Sequence, residues 1–195
     1  MEKISEFFEY FGEPNLTTAV SNDTLEKYSQ VFMGRDDTED IIVKLWEKYG
    51  FASFGNGLFW LVNPDEYNDV ARQFKEVSHK AIVFGRTATG SLFLWEWIDV
   101  VGRPVIVYLN VHTRERIIKS DEFAFFLDDD VSTNYMWKKQ FYGEVELAVV
   151  DKFGPIAHDE AVVYVPALAL GGDEKLGNME ALKLIPHLMI LSQLD

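Results

Sequence analysis

The chain has 195 residues, 48% hydrophobic and 14% aromatic, so it can bury the core of one large domain or of two small ones. Its 32 acidic residues outnumber 18 basic ones and give a net charge of −14, which disfavours nucleic acid and anionic membranes and favours basic partners. The same acidity is equally compatible with a need for solubility alone. Cysteine is absent, which excludes disulfides, thiolate zinc sites and cysteine nucleophiles.

Three helices are predicted in the first fifty residues. Apolar side chains recur at helical spacing in residues 4–11. Ser21 is a suitable N-cap for a second helix that runs to Phe32. Asp36 and Glu39 have the spacing of a capping box, and an apolar stripe of helical period follows them. The N-terminal region is therefore predicted to be helical.

A hairpin and a fourth helix are predicted next. Phe51–Phe54 and Leu58–Val62 have the composition of strands, and the glycine-rich segment Gly55-Asn56-Gly57 between them tolerates positive φ. Asn63 then offers an N-cap, and Pro64 occupies the first helical position, where its missing N–H costs nothing.

From Ala81 the hydrophobic period changes to two. Ala81–Gly85, Ser91–Ile98 and Pro104–Leu109 are predicted to be consecutive antiparallel strands, and Arg114–Lys119 an edge strand. Ser91–Ile98 is apolar on both faces, which is typical of a strand in the middle of a sheet.

Glu96 stands in this most apolar strand, between two tryptophans. If it is buried it must be paired or have a raised pKa. Arg86, Arg103 and Arg116 lie in or near neighbouring strands and are the candidate partners. A structural ion pair or a solvent-facing position is favoured over a catalytic role, since a lone carboxylate does not make an active site.

Helices resume after the sheet, with short strands among them. In chain order the predicted elements are helix Asp121–Leu127, a solvated loop Asp128–Asp130, a helix through Tyr135 and Phe141 capped by Ser132 or Thr133, helix Glu144–Phe153, strand Glu160–Val165, strand Ala181–Leu184, and a terminal helix with Pro186 at its first position. The chain is predicted to have an α+β fold with N-terminal helices, a central antiparallel sheet, and C-terminal helices with a short strand. Any domain border is tight and lies near residues 110–120.

Catalytic groups are few. The four histidines, His79, His112, His158 and His187, lack metal-ligand spacing, and no nucleophile-elbow, P-loop or dinucleotide-binding motif is present. We therefore predict that the protein is not an enzyme and has no catalytic, cofactor-binding or metal-ligating residues. A metal-dependent hydrolase built on Asp128, Asp130 and His158 is the weakest alternative.

The acidic triplet and the helix that follows it are the predicted partner-binding region. The triplet lacks the alternating ligands of a calcium loop, so a solvated loop is the simpler interpretation. The same loop suits a basic partner, and exposed aromatic side chains rimmed by acids are typical interface anchors. The predicted contact residues are Asp128, Asp129, Asp130, Tyr135, Lys138, Tyr142, Glu144 and Glu146.

Two stretches resemble known families. The first consists of Gly12-Glu13-Pro14, Leu45-Trp46, Tyr49-Gly50-Phe51, Gly55, Gly57, Trp60, Asn63-Pro64 and Tyr67. It resembles a GAD-like domain. The second consists of Tyr164-Val165-Pro166-Ala167-Leu168, Leu170-Gly171-Gly172, His187-Leu188, Ile190-Leu191 and Gln193-Leu194. It resembles the C-terminal domain that accompanies GAD-like domains in bacterial immunity proteins of type VI secretion.

The resemblance implies a GAD-like domain in residues 1–115 and an immunity-type domain in residues 116–195, tightly packed together. It also implies a function, because such proteins are partners of secreted DNase effectors. The expected activity is to bind and neutralise a cognate, basic nuclease toxin without binding nucleic acid or membrane directly. The alternative is an intracellular ligand-binding or regulatory module of the same fold. The N-terminal residues lack a signal-peptide pattern, and the longest apolar run, Ala161–Leu170, is too short to span a bilayer, so we expect a cytoplasmic protein.

Overall fold

The computed structural model describes residues 4–32, 41–100, 102–141 and 143–194. The helices are α1 Ser5–Phe11, α2 Asn22–Phe32, α3 Ile41–Tyr49, α4 Pro64–Ala71, α5 Phe123–Phe125, α6 Asn134–Gln140, α7 Gly143–Phe153 and α8 Leu184–Ser192. The strands are β1 Leu16–Thr18, β2 Phe51–Phe54, β3 Phe59–Leu61, β4 Ile82–Thr87, β5 Leu92–Ile98, β6 Arg103–Leu109, β7 Arg116–Ile118, β8 Glu160–Tyr164 and β9 Met179–Lys183.

The strands β1 to β7 form one antiparallel sheet in which spatial order follows chain order. β5 and β6 are both interior strands and pair over their whole length, from Leu92 opposite Leu109 to Ile98 opposite Arg103. β8 and β9 form a separate two-stranded sheet. The predicted α+β fold with its central antiparallel sheet is confirmed.

The two faces of the large sheet carry separate cores. One face is aromatic and is covered by α1, α2, α3, α5 and α6, with Phe93 and Trp95 of β5 in its centre. The other face is aliphatic and is covered by α4, α8 and β8, with Leu92 and Leu94 of the same strand in its centre. Alternation of side chains along β5 therefore supplies both cores, which explains why this strand is apolar on both faces.

Three of the predicted helix N-caps are confirmed. The Asn63 side chain accepts a hydrogen bond from the Asp65 N–H at 3.1 Å, and Thr133 does the same for Met136 at 3.1 Å. Ser21 Oγ accepts from the Thr24 N–H at 3.1 Å. The predicted capping box of Asp36 and Glu39 lies outside the described residues.

Four elements differ from the prediction. The predicted helix Asp121–Leu127 is α-helical only over Phe123–Phe125, and Phe126 and Leu127 belong to the π-helical turn that follows. β1 was not predicted, because its sequence Leu-Thr-Thr has no alternating pattern and its side chains are exposed. Asp128–Asp130 is not a loop but the end of a π-helical turn, Phe126–Asp130. α8 begins at Leu184, so Pro186 is its third residue rather than its first, still within the turn whose N–H groups have no intrahelical partner.

Glu96 lies in the structural ion pair that was expected for a buried position. It is 4% exposed, and its carboxylate accepts from Arg116 Nη2 at 3.0 Å and from the Ser78 N–H at 3.0 Å. Arg116, on the edge strand β7, is thus the partner among the three arginines considered. No described helix has both the length and the apolar character needed to cross a membrane.

Candidate partner-binding surface

The π-helical turn Phe126–Asp130, here called the π-turn, presents the acidic triplet. Phe126 and Leu127 are fully buried in the aromatic core, and the Val131 N–H donates to the Phe126 carbonyl at 3.0 Å. The indole Nε1 of Trp137 donates to the Val131 carbonyl at 2.7 Å and fixes the exit of the turn against α6. Trp137 itself is fully buried in the aromatic core. The turn is therefore anchored from inside.

Asp128 connects the π-turn to α1. Its carboxylate accepts a hydrogen bond at 3.0 Å from the N–H of Phe7 in the first turn of α1, so it caps a helix 121 positions away in the chain. Burial raises the pKa of Asp128, the Phe7 N–H opposes that shift, and the charges of Asp129 and Glu9 add to it. Glu9 is thus electrostatically close to the turn.

Four carboxylates form what we call the acidic face: Glu6 and Glu9 of α1 with Asp128 and Asp129 of the π-turn. Glu6, Glu9 and Asp129 are exposed, whereas Asp128 is half-buried. Among the described residues, none of the four makes an ion pair with a cation, and the charges of Asp129 and Glu9 raise the pKa of Asp128, so this face favours a cationic partner.

Exposed aromatic side chains lie on the segments that flank the acidic face. Phe125, directly before the π-turn, is 51% exposed, and Tyr135 of α6 is 68% exposed. Tyr10 of α1 donates to the Asn134 side chain at 2.6 Å and ties α1 to the start of α6. Lys138 is exposed one turn after Tyr135, on the same side of α6. Large exposed aromatic side chains beside charge are the usual anchors of protein interfaces.

Asp130 does not belong to this surface. It is 4% exposed because the π-turn rotates it inward, and its Oδ2 has no hydrogen-bond partner among the described residues. Burial raises the pKa of Asp130, opposed by the charge of Lys119. Burial also lowers the pKa of Lys119 to about 8, and its ammonium lies 4.1 Å from the ring centre of Phe141. The predicted partner contact at Asp130 is therefore corrected to a buried position beside Lys119.

Glu146 does not reach the surface either. It is fully buried under the β4–β5 turn, where Thr89 donates to it from its N–H at 3.0 Å and from its hydroxyl at 2.6 Å. Burial raises the pKa of Glu146 to about 7, while hydrogen bonds from Thr87 and Thr89 and the charge of Arg86 oppose the shift. The prediction that Glu146 contacts a partner is corrected: its role is internal.

Arg86 completes a buried junction between the large sheet and the C-terminal third of the chain. Its guanidinium lies 4.5 Å from the ring centre of Trp60 and donates to the carbonyls of Ala157 at 3.2 Å and His158 at 3.0 Å. Arg86 is fully buried, and burial lowers its pKa. We call Arg86, Thr87, Thr89 and Glu146 the polar junction.

The remaining predicted contact residues divide as follows. Glu144 is exposed in the first turn of α7, where a negative charge is favourable. Tyr142 lies outside the described residues. Glu6, Glu9 and Tyr10 also lie at this surface, and the sequence analysis did not select them. Their only sequence signal was the polar side of a short amphipathic helix, which does not reveal that α1 packs against the π-turn.

A metal site is not assembled by the residues of the hydrolase alternative. Asp130 lies beside Lys119, whereas the imidazole of His158 is 3.7 Å from the Glu66 carboxylate and 5.9 Å, centre to centre, from the Trp60 ring. Within the described ranges, no group of three or more histidine, aspartate or glutamate side chains is arranged to hold a metal ion.

Comparison with known families identifies the class to which this α+β architecture belongs. Residues 2–109 match the profile described as the GAD-like domain, and these residues make up more than half of the chain. The chain belongs to the GAD-like domain family. Residues 120–195 match the profile described as "T6SS immunity protein Tdi1, C-terminal", which supports an immunity protein of type VI secretion. Both resemblances seen in the sequence are confirmed.

A solved structure has the same fold. The crystal structure of Atu4351 from Agrobacterium tumefaciens superposes with a TM-score of 0.69 at 12% identity, over 98% of this chain and 89% of that one. At this identity the likeness concerns the fold alone. A comparison with curated protein sequences gave no match. The predicted domain border after residue 115 falls between the two profile matches and stays a prediction.

Proposed function

We propose that this protein binds a cognate secreted nuclease toxin in the cytoplasm and neutralises it by covering its DNA-binding groove. The acidic face carries this proposal, because it sets four carboxylates beside the exposed side chains of Phe125 and Tyr135. A nuclease that binds DNA must present cations to phosphates, and a cluster of carboxylates competes for the same cations. The match to an immunity-protein domain supports a role without catalysis.

Charge has two roles in the proposed complex. The net charge of −14 attracts a basic toxin at long range and repels DNA, so association is fast and salt-dependent. Phe125 and Tyr135 then provide the apolar contacts that slow dissociation. A partner that remains bound at physiological salt needs both the electrostatic attraction and the apolar contacts.

The first test is co-purification with the product of the adjacent gene, followed by DNA degradation with and without this protein. We expect a stable complex and suppressed cleavage. If no complex forms and cleavage is unaffected, the proposed function is wrong.

A kinetic test addresses the surface itself. The double variant Glu9→Lys and Asp129→Lys reverses two exposed charges of the acidic face, and we expect its association rate constant to fall by about tenfold or more at low salt. Glu174→Lys combined with Glu180→Lys is the matched control, because it reverses the same number of charges at exposed positions outside the acidic face. Stopped-flow association over a range of salt concentrations measures both. Equal losses in the two proteins would assign the effect to net charge and exclude the acidic face as the docking surface.

A further inference from the structure

A cavity of about 380 Å³ opens between α2, α4 and the start of β4, apart from the acidic face and the polar junction. Its volume is within the range of small-molecule sites. It lies in the region that matches the GAD-like domain. Its chemistry does not depend on the proposed neutralisation of a nuclease.

The floor of the cavity is a buried hydrogen-bond chain. Tyr28 and Asn68 are both almost inaccessible to solvent. Tyr28 donates to the Asp65 carboxylate at 2.6 Å, and the Asn68 amide donates to the Tyr28 hydroxyl at 3.4 Å. The Asn68 carbonyl accepts from the Val83 N–H at 2.9 Å, which attaches the chain to β4. The floor is therefore held in place without a ligand.

The wall carries more cationic than anionic groups. Lys27 is paired with Asp65. Arg72 donates to the Ala81 carbonyl at 3.2 Å and makes a long ion pair with Asp69, whose carboxylate lies 3.8 Å from Nη1. Lys80 is exposed and makes no ion pair with any described residue. The cavity therefore holds Lys80, which has no ion pair among the described residues, and Arg72, whose described ion pair is long and exposed on the Asp69 side, in a chain whose net charge is −14.

The same cavity has an apolar side formed by Val31 and Ile82. Val31 is 47% exposed although it is a large aliphatic side chain next to a charged wall. A ligand that uses both sides needs an anionic end and an apolar end. The neighbouring carboxylates of Asp65 and Asp69 disfavour a dianion, whereas a single carboxylate fits the fork of a guanidinium.

We propose that this cavity binds a small monocarboxylate with a branched aliphatic group, its carboxylate on Arg72 and Lys80 and its aliphatic group on Val31 and Ile82. Three probes with the same branched aliphatic group separate the contribution of the carboxylate from that of an ammonium group. Isocaproate has the carboxylate alone, leucine has the carboxylate and an α-ammonium, and isoamylamine has the ammonium alone. Each is titrated into isotope-labelled full-length protein without any partner, with the Val31 methyl and Arg72 Nε–Hε signals as reporters.

We expect saturable shifts with isocaproate and none with isoamylamine, and the leucine titration shows whether Asp69 contributes by accepting the ammonium. Arg72→Ala and Lys80→Ala should each weaken isocaproate binding by about tenfold. Lys80 is exposed, so its replacement tests the proposal even if the Arg72 variant is unstable. Lys48→Ala, which removes one charge from α3 outside the cavity, should bind as the unmodified protein does. Absence of saturation with all three probes, or unchanged binding in the Lys80 variant, would overturn the proposal.

Discussion

Buried charge is the main energetic question at the residue scale, and Glu146 is the clearest case. An ionised carboxylate in a protein interior loses several kcal/mol of solvation unless hydrogen bonds replace the water. Thr89 supplies two such bonds from its backbone and side chain, and Arg86 adds an opposite charge. These contacts only partly compensate for burial, so the pKa of Glu146 stays raised at about 7.

This raised pKa predicts how stability depends on pH. Glutamate has an ordinary pKa of 4.5, which applies to the unfolded chain, whereas folded Glu146 keeps its proton up to about pH 7. The folded state binds more protons between these values, so its contribution is complete below pH 4.5 and is lost as the pH rises to about 7. At about 1.4 kcal/mol for each pH unit, the loss is about 3 kcal/mol.

The Glu146→Gln variant isolates this contribution. Urea unfolding between pH 5 and pH 8 should show the unmodified protein losing stability relative to the variant as the pH rises. The unmodified protein is compared with the variant because His112 also makes stability depend on pH. Burial lowers the pKa of His112 to about 4, so its contribution to stability rises with pH below neutrality, opposite to that of Glu146. Glu144→Gln on the exposed side of α7 is the control. A difference that does not vary with pH would show that Glu146 is ionised throughout.

Sequence reasoning identified buried charge only where the neighbouring residues indicated it. Glu96 is surrounded by apolar residues in a strand, so its pattern raised the question of burial, and Arg116 was one of three candidate partners. Glu146 lies in a helix with mixed polar and apolar neighbours, and its donor Thr89 is 57 positions away. Nothing local distinguishes it from the exposed Glu144.

At the scale of elements, the predictions that succeeded depend on interactions within one turn. Asn63 and Thr133 cap α4 and α6 because a side-chain oxygen reaches an N–H two or three residues on. The π-turn was missed because the extra residue in a π-helix is set by packing, here the burial of Phe126 and Leu127, rather than by propensity. The acidic face was partly missed for the same reason, since α1 and the π-turn meet only in the folded chain.

The cap that Asp128 provides for α1 gives a prediction at this scale. Replacing Asp128 by alanine removes the acceptor for the Phe7 N–H, and we expect the free energy of unfolding to fall by about 1 kcal/mol. Asp128→Asn keeps an acceptor oxygen and should lose less. Chemical denaturation of the two variants measures the difference. Equal losses would mean that the charge, rather than the hydrogen bond, fixes α1.

At the scale of the whole molecule, the polar junction argues for one cooperative unit. Its members cross between the two profile matches, and Arg86 and Glu146 cannot both be exposed to solvent without unfolding part of each region. Tryptophan signals can report on the unfolding of each region separately. Of the five tryptophans in the chain, Trp137 alone lies within the C-terminal profile match.

Fluorine NMR of protein labelled with fluorotryptophan tests this cooperativity. We expect the Trp137 signal and the Trp60 and Trp95 signals to lose their folded positions at one denaturant midpoint. A lower midpoint for Trp137 would show that the C-terminal region unfolds first and that the junction does not couple the two regions. Arg86→Met, which retains the apolar stem but loses the donors, should separate the midpoints.

The way the aromatic core is assembled has a consequence for synthesis on the ribosome. Phe84, Phe93 and Tyr108 are covered by Phe123, Phe126 and Phe141, which are translated later. The nascent sheet therefore has an uncovered aromatic surface until residue 141 has left the exit tunnel, and at ordinary elongation rates this interval lasts seconds. Until then α1 also lacks its cap, because Asp128, which accepts from the Phe7 N–H, is translated 121 residues after Phe7.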